Sequence, residues 1–215
     1  MRTAKTVLTV IQERGKQKKP IERVYKLLFN RELYLNAYAK LYPNNGAMTK
    51  GVTNETVDGM SIQKIDRMIE ILREEKYQWK PARREYIKKK NGKKRPLGIP
   101  VWGDKVLQEV MRQILEAYYE PQFSEHSHGF RPNRGCHTAL QEIQVWKGTR
   151  WFIEGDISQY FDTIDHKILL EILARNIHDG RFIRLVSNML EAGYLEKWKF
   201  KQTISGVPQD RKSVV

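Results

Sequence analysis

Residues 151–166 read Trp-Phe-Ile-Glu-Gly-Asp156-Ile-Ser-Gln-Tyr-Phe161-Asp162-Thr-Ile-Asp165-His166. An apolar run leads to a carboxylate, a short polar turn follows, and then apolar residues recur at helical spacing in Ile168, Leu169, Ile172 and Leu173. The pattern predicts a strand that delivers Asp156 at its carboxyl edge, followed by a turn and a helix. Such a mount suits a metal-binding carboxylate beside backbone amides, here those of 157 to 161, that can cradle a triphosphate. An Asp after a strand is more often a helix cap or turn former than a metal ligand. Asp165, just ahead of the helical period, takes that bland role as an N-cap. Asp156 follows Phe152 and Ile153 and remains the candidate metal ligand.

A chain of 215 residues with 40% hydrophobic residues can bury a core and form one large domain or two small ones. Lysine and arginine outnumber the acids 39 to 25, a net charge of +14, which points to a polyanionic partner, nucleic acid before membrane surface. No apolar run approaches the length of a spanning helix and no signal peptide opens the sequence, so no membrane partner is expected and a soluble, cytoplasmic protein is. The single Cys136 can form no internal disulfide, which fits a reducing compartment.

The periodicities predict an order of elements. Ile21, Val24, Leu27, Leu28, Leu33, Ala37, Tyr38 and Leu41 imply one or two amphipathic helices between Pro20 and Leu41. Arg14 to Lys19, basic and containing a glycine, reads as a mobile, solvated stretch. Residues 42–60 read as a long loop, of the kind that is usually functional or disordered. Ser61 can cap a helix carrying Ile62, Ile65, Met68, Ile69 and Leu72. Asn91-Gly92 between two strand-like runs predicts a hairpin with a two-residue turn. A long helix from Asp104 to Tyr119 ends before Pro121. A loop through Arg131-Pro132, a helix at 136–146, the Asp156 strand, helices at about 165–176 and 180–192 and strand candidates between Tyr194 and Ile204 complete an α+β order.

Six cations, Lys88, Lys89, Lys90, Lys93, Lys94 and Arg95, surround the hairpin turn. Strand alternation lets Lys89 and Arg95 reach one anion beneath the hairpin, Arg as a bidentate fork and Lys as a point charge. On charge alone, a solvated hairpin whose cations keep its edge from aggregating is an equal reading. His126, His128, Cys136 and His137 do not form a zinc site, because structural zinc uses several cysteines or paired histidines at metal spacing. Arg131 and Arg134 read as phosphate or template contacts, or else as parts of a salt-bridged loop.

Four blocks carry a family resemblance: Arg95-Pro-Leu-Gly-Ile-Pro100, Ser127-His-Gly-Phe-Arg-Pro-Asn-Arg-Gly-Cys-His-Thr-Ala-Leu140, Gly155-Asp156-Ile-Ser-Gln-Tyr-Phe161-Asp162 and Gly206-Val-Pro-Gln209. In this order and spacing the chain resembles the amino-terminal part of a group II intron-encoded reverse transcriptase and maturase, from about Pro20 to Gln209. The resemblance implies a right-hand polymerase with an amino-terminal extension and fingers in residues 1–148, part of a palm in 149–215, and no thumb. It implies RNA-directed DNA polymerase activity on deoxynucleotides and a template-primer, with Mg²⁺ bound by Asp156. Lys89 and Arg95 would hold the triphosphate and Gln209 would line the nucleotide pocket. Phe161 would sit under the incoming sugar, where a flat apolar ring can reject a 2′-hydroxyl. Group II intron RNA would be gripped by phosphate contacts from Lys16, Lys18, Lys19, Arg23, Lys26 and Arg31, in a bacterial cytoplasm.

Beyond Gln209 the pattern is left behind: the family continues with two glycines and a helix, and this sequence with Asp210-Arg-Lys-Ser-Val-Val215. The last six residues are therefore expected to be non-native, and the chain a fragment. Two-metal phosphoryl transfer needs several carboxylates around cations roughly 4 Å apart, so one Asp should leave the fragment inactive and Mg²⁺ weakly held. A bared palm surface would favour a homodimer. Two further readings are a non-catalytic RNA-binding splicing module and a retron or diversity-generating reverse transcriptase. The amino-terminal extension and the His-Gly-Phe-Arg-Pro block argue against the last.

Overall fold

A computed structural model describes residues 2–44, 46–88, 92, 94–158, 160–203 and 206, with the backbone only at 161 and 162. Lys89, Gln209, residues 210–215 and the Phe161 side chain lie outside the described parts. The chain is mixed α and β, as its pattern implies, and its helical core is built around one helix.

That helix is α5 (Trp102–Tyr119), which buries Trp102, Val106, Leu107, Val110, Met111, Ile114 and Tyr118 on one side. The spacing follows the 3.6-residue period, which is why the sequence reading finds it. Against it pack α1 (Ala4–Lys16) and α3 (Arg31–Leu41), the latter through Leu33, Tyr34 and Ala37. α4 (Ile62–Arg73) packs on α3 through the same core, with Ile65, Ile69 and Leu72 buried and Ser61 accepting from Lys64 N as cap. Between α1 and α3 run the two-residue strand β1 (Ile21–Glu22) and the short helix α2 (Val24–Leu27).

The first half of the stretch expected to be mobile at 14–19 is instead helix. Arg14, Gly15 and Lys16 are the last turn of α1, and Gly15 is buried against α5. A Cβ on Gly15 would lie 2.1 Å from the Tyr118 carbonyl oxygen, so glycine here is a close-approach residue and not a sign of flexibility. Counting charges hid an amphipathic helix whose buried positions are Ala4, Ile11 and Gly15.

The hairpin forms β2 (Ala82–Lys88) and β3 (Lys94–Ile99), paired antiparallel. Its register differs from that of a two-residue turn. Lys88 lies opposite Lys94 and Ile87 opposite Arg95, whereas a turn at Asn91-Gly92 would set Lys88 opposite Arg95. An odd number of residues is left to the connection, and longer hairpin loops of this kind commonly place a glycine at positive φ, as Gly92 is at 76°. β2 also pairs in parallel with β5 (Tyr194–Glu196), which pairs with β6 (Lys199–Lys201), giving the sheet order β3-β2-β5-β6.

α6 (Cys136–Gln144) and α8 (His166–Asn176) follow the expected periods yet bury no residue fully. After α8 come β4 (Ile177–His178), paired in parallel with β1, and α9 (Gly180–Glu191), which buries Phe182, Leu185, Val186 and Leu190. Asp179 caps α9 and also accepts from Tyr25 N at 2.9 Å, fastening α9 to α2.

The strand expected to end at Asp156 is absent. Residues 151–157 adopt no regular structure, and Trp151, Phe152 and Ile153 are 86%, 70% and 94% exposed. A strand exists only by pairing its N–H and C=O groups, and among the described residues no neighbouring strand pairs with this run. Apolar character marks a segment suited to burial; it does not provide the partner.

Candidate functional site

Asp156 lies exposed in the irregular segment ahead of α7 (Tyr160–Thr163). Of the expected amide cradle at 157 to 161, residue 159 is outside the described part, and 160 and 161 begin α7. Asp165 is the N-cap of α8, its carboxylate accepting from Ile168 N at 3.1 Å, as the spacing predicts. At this point the chain returns upon itself. Gly206 N donates to the Ile164 carbonyl at 2.9 Å, and His166 Nε2 donates to the Gly206 carbonyl at 2.6 Å. The first residue of the Gly-Val-Pro-Gln block is thereby bound to the exit of the Asp156 turn, two blocks far apart in sequence brought to one place.

Mg²⁺ requires hard oxygen donors, and Asp156 is of the right type. One carboxylate by itself holds such an ion only weakly, because Mg²⁺ gives up its water reluctantly. Among the described residues no three His, Cys, Asp or Glu side chains gather for a metal. The described residues therefore fall short of a complete metal site.

The basic hairpin is held from below. Leu97, Ile99 and Ala82 are buried at its base. Arg83 donates through Nε and Nη2 to the Lys50 carbonyl at 3.0 and 2.8 Å. Gly51 abuts Pro100 and Val101 so closely that a Cβ would lie 2.8 Å from both the Pro100 carbonyl oxygen and Val101 N. The 42–60 loop, further pinned by Lys105 Nζ on the Gly46 and Thr49 carbonyls and by buried Ala47 and Val57, is thus a packed brace for the hairpin. Arg95 is exposed, opposite Ile87 in the ladder and on its face of the hairpin. Its proposed companion Lys89 falls outside the described residues.

The other face carries contacts that charge counting misses. The Arg84 guanidinium stacks 3.6 Å from the centroid of Tyr194. The Tyr86 hydroxyl and Lys201 Nζ both donate to Glu196. Bonding to Glu196 raises the Tyr86 phenol above its usual range, and the hydrogen bonds from Lys201 and Tyr86 hold Glu196 below the usual carboxylate range. Period-two alternation along β2 places Arg84 and Tyr86 on one face and was the available signal.

The 127–140 block organises itself around Glu142. His128 Nε2 lies 2.7 Å from one carboxylate oxygen, His126 Nδ1 binds the other, and His128 Nδ1 meets Thr138 Oγ1 at 2.8 Å. The histidines, His128 first, hold Glu142 below the usual carboxylate range. Arg131 turns inward: Nε is 2.9 Å from Glu120, and Nη1 donates to the Ser124 and Ser127 carbonyls at 2.6 and 2.8 Å. Arg134 donates to the Glu125 carbonyl. Arg131, paired with Glu120, does what the salt-bridged-loop alternative describes, and Arg134 ties the same loop through a backbone carbonyl; in this turn Phe130 and Asn133 hold left-handed φ of 59° and 57°.

The amino-terminal cations divide into two sets. Lys16 pairs with Glu13 at 2.7 Å, and Arg31 grips Asp66 with two bonds of 2.7 Å. Lys18, Lys19, Arg23 and Lys26 are exposed and enter no ion pair among the described residues. Lys18 and Arg23 sit at left-handed φ of 52° and 55°, on either side of β1, so Lys18, Lys19 and Arg23 line the α1–α2 connection and Lys26 follows on α2. The buried acid Asp104, in the first turn of α5, has no counterpart in the sequence reading. It accepts from Tyr77 Oη at 2.7 Å and Lys80 N at 3.0 Å, and burial pushes it up to about 6 against those bonds.

The chain matches a family described as "Reverse transcriptase (RNA-dependent DNA polymerase)" over residues 87–210. It is 49% identical over 189 residues to the group II intron-encoded protein LtrA of Lactococcus lactis subsp. cremoris, covering 87% of this chain and 32% of that protein. It is 46% identical over 214 residues to an uncharacterized 91 kDa protein in the cob intron of Schizosaccharomyces pombe, 96% of this chain and 26% of that one. Over 93 residues it is 36% identical to nuclear intron maturase 1, mitochondrial, of Arabidopsis thaliana, 43% of this chain and 13% of that one. The chain spans about a third or less of the length of these relatives. The match takes in the hairpin's outer end, the Glu142 loop, Asp156 and Gly206, and the chain belongs to the reverse transcriptase (RNA-dependent DNA polymerase) family, with its similarity running to the group II intron-encoded members.

Proposed function

We propose that this chain is the RNA-gripping front of a group II intron-encoded reverse transcriptase and maturase: amino-terminal extension and fingers in residues 1–148, and part of the palm in 149–215. The observation that carries the reading is the family match across 87–210, with Arg95, Asp156 and the Gly206 block all inside it. In the whole protein Asp156 would hold Mg²⁺ for RNA-directed synthesis of DNA from deoxynucleotides on a template-primer. Lys89 and Arg95 would hold the triphosphate, Phe161 would exclude the 2′-hydroxyl, and Gln209 would line the pocket. Intron RNA binds along Lys18, Lys19, Arg23 and Lys26. Lys16 and Arg31 contribute less, because their charges are already engaged by Glu13 and Asp66. Arg131 and Arg134 shape the loop beside the RNA path.

By itself the 215-residue chain binds RNA and does not extend a primer, since two-metal transfer takes more carboxylates than Asp156 supplies. Two assays test the reading. Filter binding to structured intron RNA should show affinity that falls steeply with salt. Primer extension should show no Asp156-dependent product; robust synthesis abolished by Asp156→Ala would overturn the claim of inactivity. The exposed apolar run Trp151–Ile153 supports a homodimer through that surface, to be checked by light scattering.

A further inference from the structure

The outer half of the basic hairpin has little backbone support beyond its own two strands. Among the described residues β2 is laddered to β5 at Ala82↔Tyr194 and Arg83↔Leu195 and no further out. From Arg84 to Lys88 the paired hairpins β2–β3 and β5–β6 are joined by side chains. The Arg84 guanidinium lies on the Tyr194 ring, and Tyr86 and Lys201 converge on Glu196, whose side chain is 17% exposed. One carboxylate, set in a strongly basic region, thus takes a phenol from one hairpin and an ammonium from the other strand of the second.

We infer that Glu196 is a positioning residue: by accepting from Tyr86 and Lys201 together, it fixes the cant of the β2–β3 hairpin and so aims Arg95 at the anion the hairpin holds. The inference rests on the reading of that hairpin as the triphosphate-holding element. Its chemistry is specific. An ionised carboxylate can accept from a phenol and an ammonium at once, while a glutamine offers a single carbonyl oxygen and adds an N–H₂ that repels the ammonium. The stacked Arg84 resists sliding across the ring but leaves rotation free, which the Glu196 bonds remove.

The direction of the effect separates positioning from simple charge. Deleting a carboxylate near an anion site should, by Coulomb attraction alone, tighten anion binding. A positioning role requires the opposite. The experiment titrates the 215-residue chain with inorganic tripolyphosphate by calorimetry and follows amide exchange of residues 84–88 and 94–97 by mass spectrometry. Glu196→Ala and the charge-neutral Tyr86→Phe should each weaken tripolyphosphate binding by about twofold to tenfold, the scale of a lost hydrogen bond. Both should speed exchange in the hairpin while leaving α5 unchanged, and Glu196→Gln should fall between Glu196→Ala and the unaltered chain. Tighter binding on Glu196→Ala, or unchanged hairpin exchange in both variants, overturns the inference. Absence of tripolyphosphate binding by the unaltered chain would instead overturn the hairpin's anion role, and the exchange comparison would still decide whether Glu196 fixes the hairpin.

Discussion

Gly15 and Tyr118 are in backbone contact: α1 approaches α5 so closely that a Cβ at position 15 would stand 2.1 Å from the Tyr118 carbonyl oxygen and 3.0 Å from its carbon. A helix backbone cannot step aside as a flexible side chain can. Gly15→Ala, although favoured by helix propensity, should destabilise the fold by about 2–3 kcal/mol through overpacking. Thermal unfolding should show a Tm lower by roughly 5–10 °C. An unchanged or raised Tm would mean that α1 does not dock here.

Asp104 makes stability depend on pH with a stated sign. Burial raises its folded value to about 6 from 3.8. Its favourable contribution is therefore complete below 3.8 and lost as pH rises through about 6. The loss is on the order of 3 kcal/mol at about 1.4 kcal/mol per unit. Asp104→Asn, neutral throughout, gives up one accepted hydrogen bond at every pH but has no such loss. Denaturant midpoints at pH 4 and pH 7 should show the gap between the unaltered protein and the variant shrinking at the higher pH, and a constant gap would contradict the assignment.

Glu142 fastens a helix that has no buried residue of its own. Its lowered carboxyl means that the contribution is present above the ordinary 4.5 and is lost as pH falls through the depressed folded value. Glu142→Ala should leave the core helices intact while amide exchange across 136–144 accelerates and proteolysis begins there. Equal protection of α6 in the variant would show that the two histidines are bystanders.

Helices α3, α4, α5, α8 and α9 were legible because each repeats apolar residues at the helical period and most carry a capping side chain, Ser61 and Asp165 among them; α1, whose buried positions are few, was not. What was not legible depended on partners distant in sequence. The role of Gly15 requires the Tyr118 backbone, and the strand predicted at 151–156 requires a neighbour that the apolar pattern cannot provide. The register differs by one residue from that of a two-residue turn, with Lys88 opposite Lys94 and not Arg95, because Asn91-Gly92 favours a tight turn without dictating one. In the candidate site, Asp156 and Arg95 stood out by residue type and family block. Glu196 and Glu142 did not, since an acid that serves by gathering polar side chains from elsewhere in the chain carries no local signature.

The cations along the α1–α2 connection and the carboxylate at Asp156 are assigned separate tasks, one gripping RNA and the other serving chemistry. The direct measurement is the affinity for structured intron RNA across a salt series without divalent metal, for the unaltered chain, Asp156→Ala, and a variant with Lys18, Lys19, Arg23 and Lys26 all changed to alanine. The expected result is that Asp156→Ala binds within about twofold, while the quadruple variant binds far more weakly and its log–log salt slope flattens by about 3. Loss of RNA binding in Asp156→Ala, together with an unchanged slope in the quadruple variant, would contradict this division.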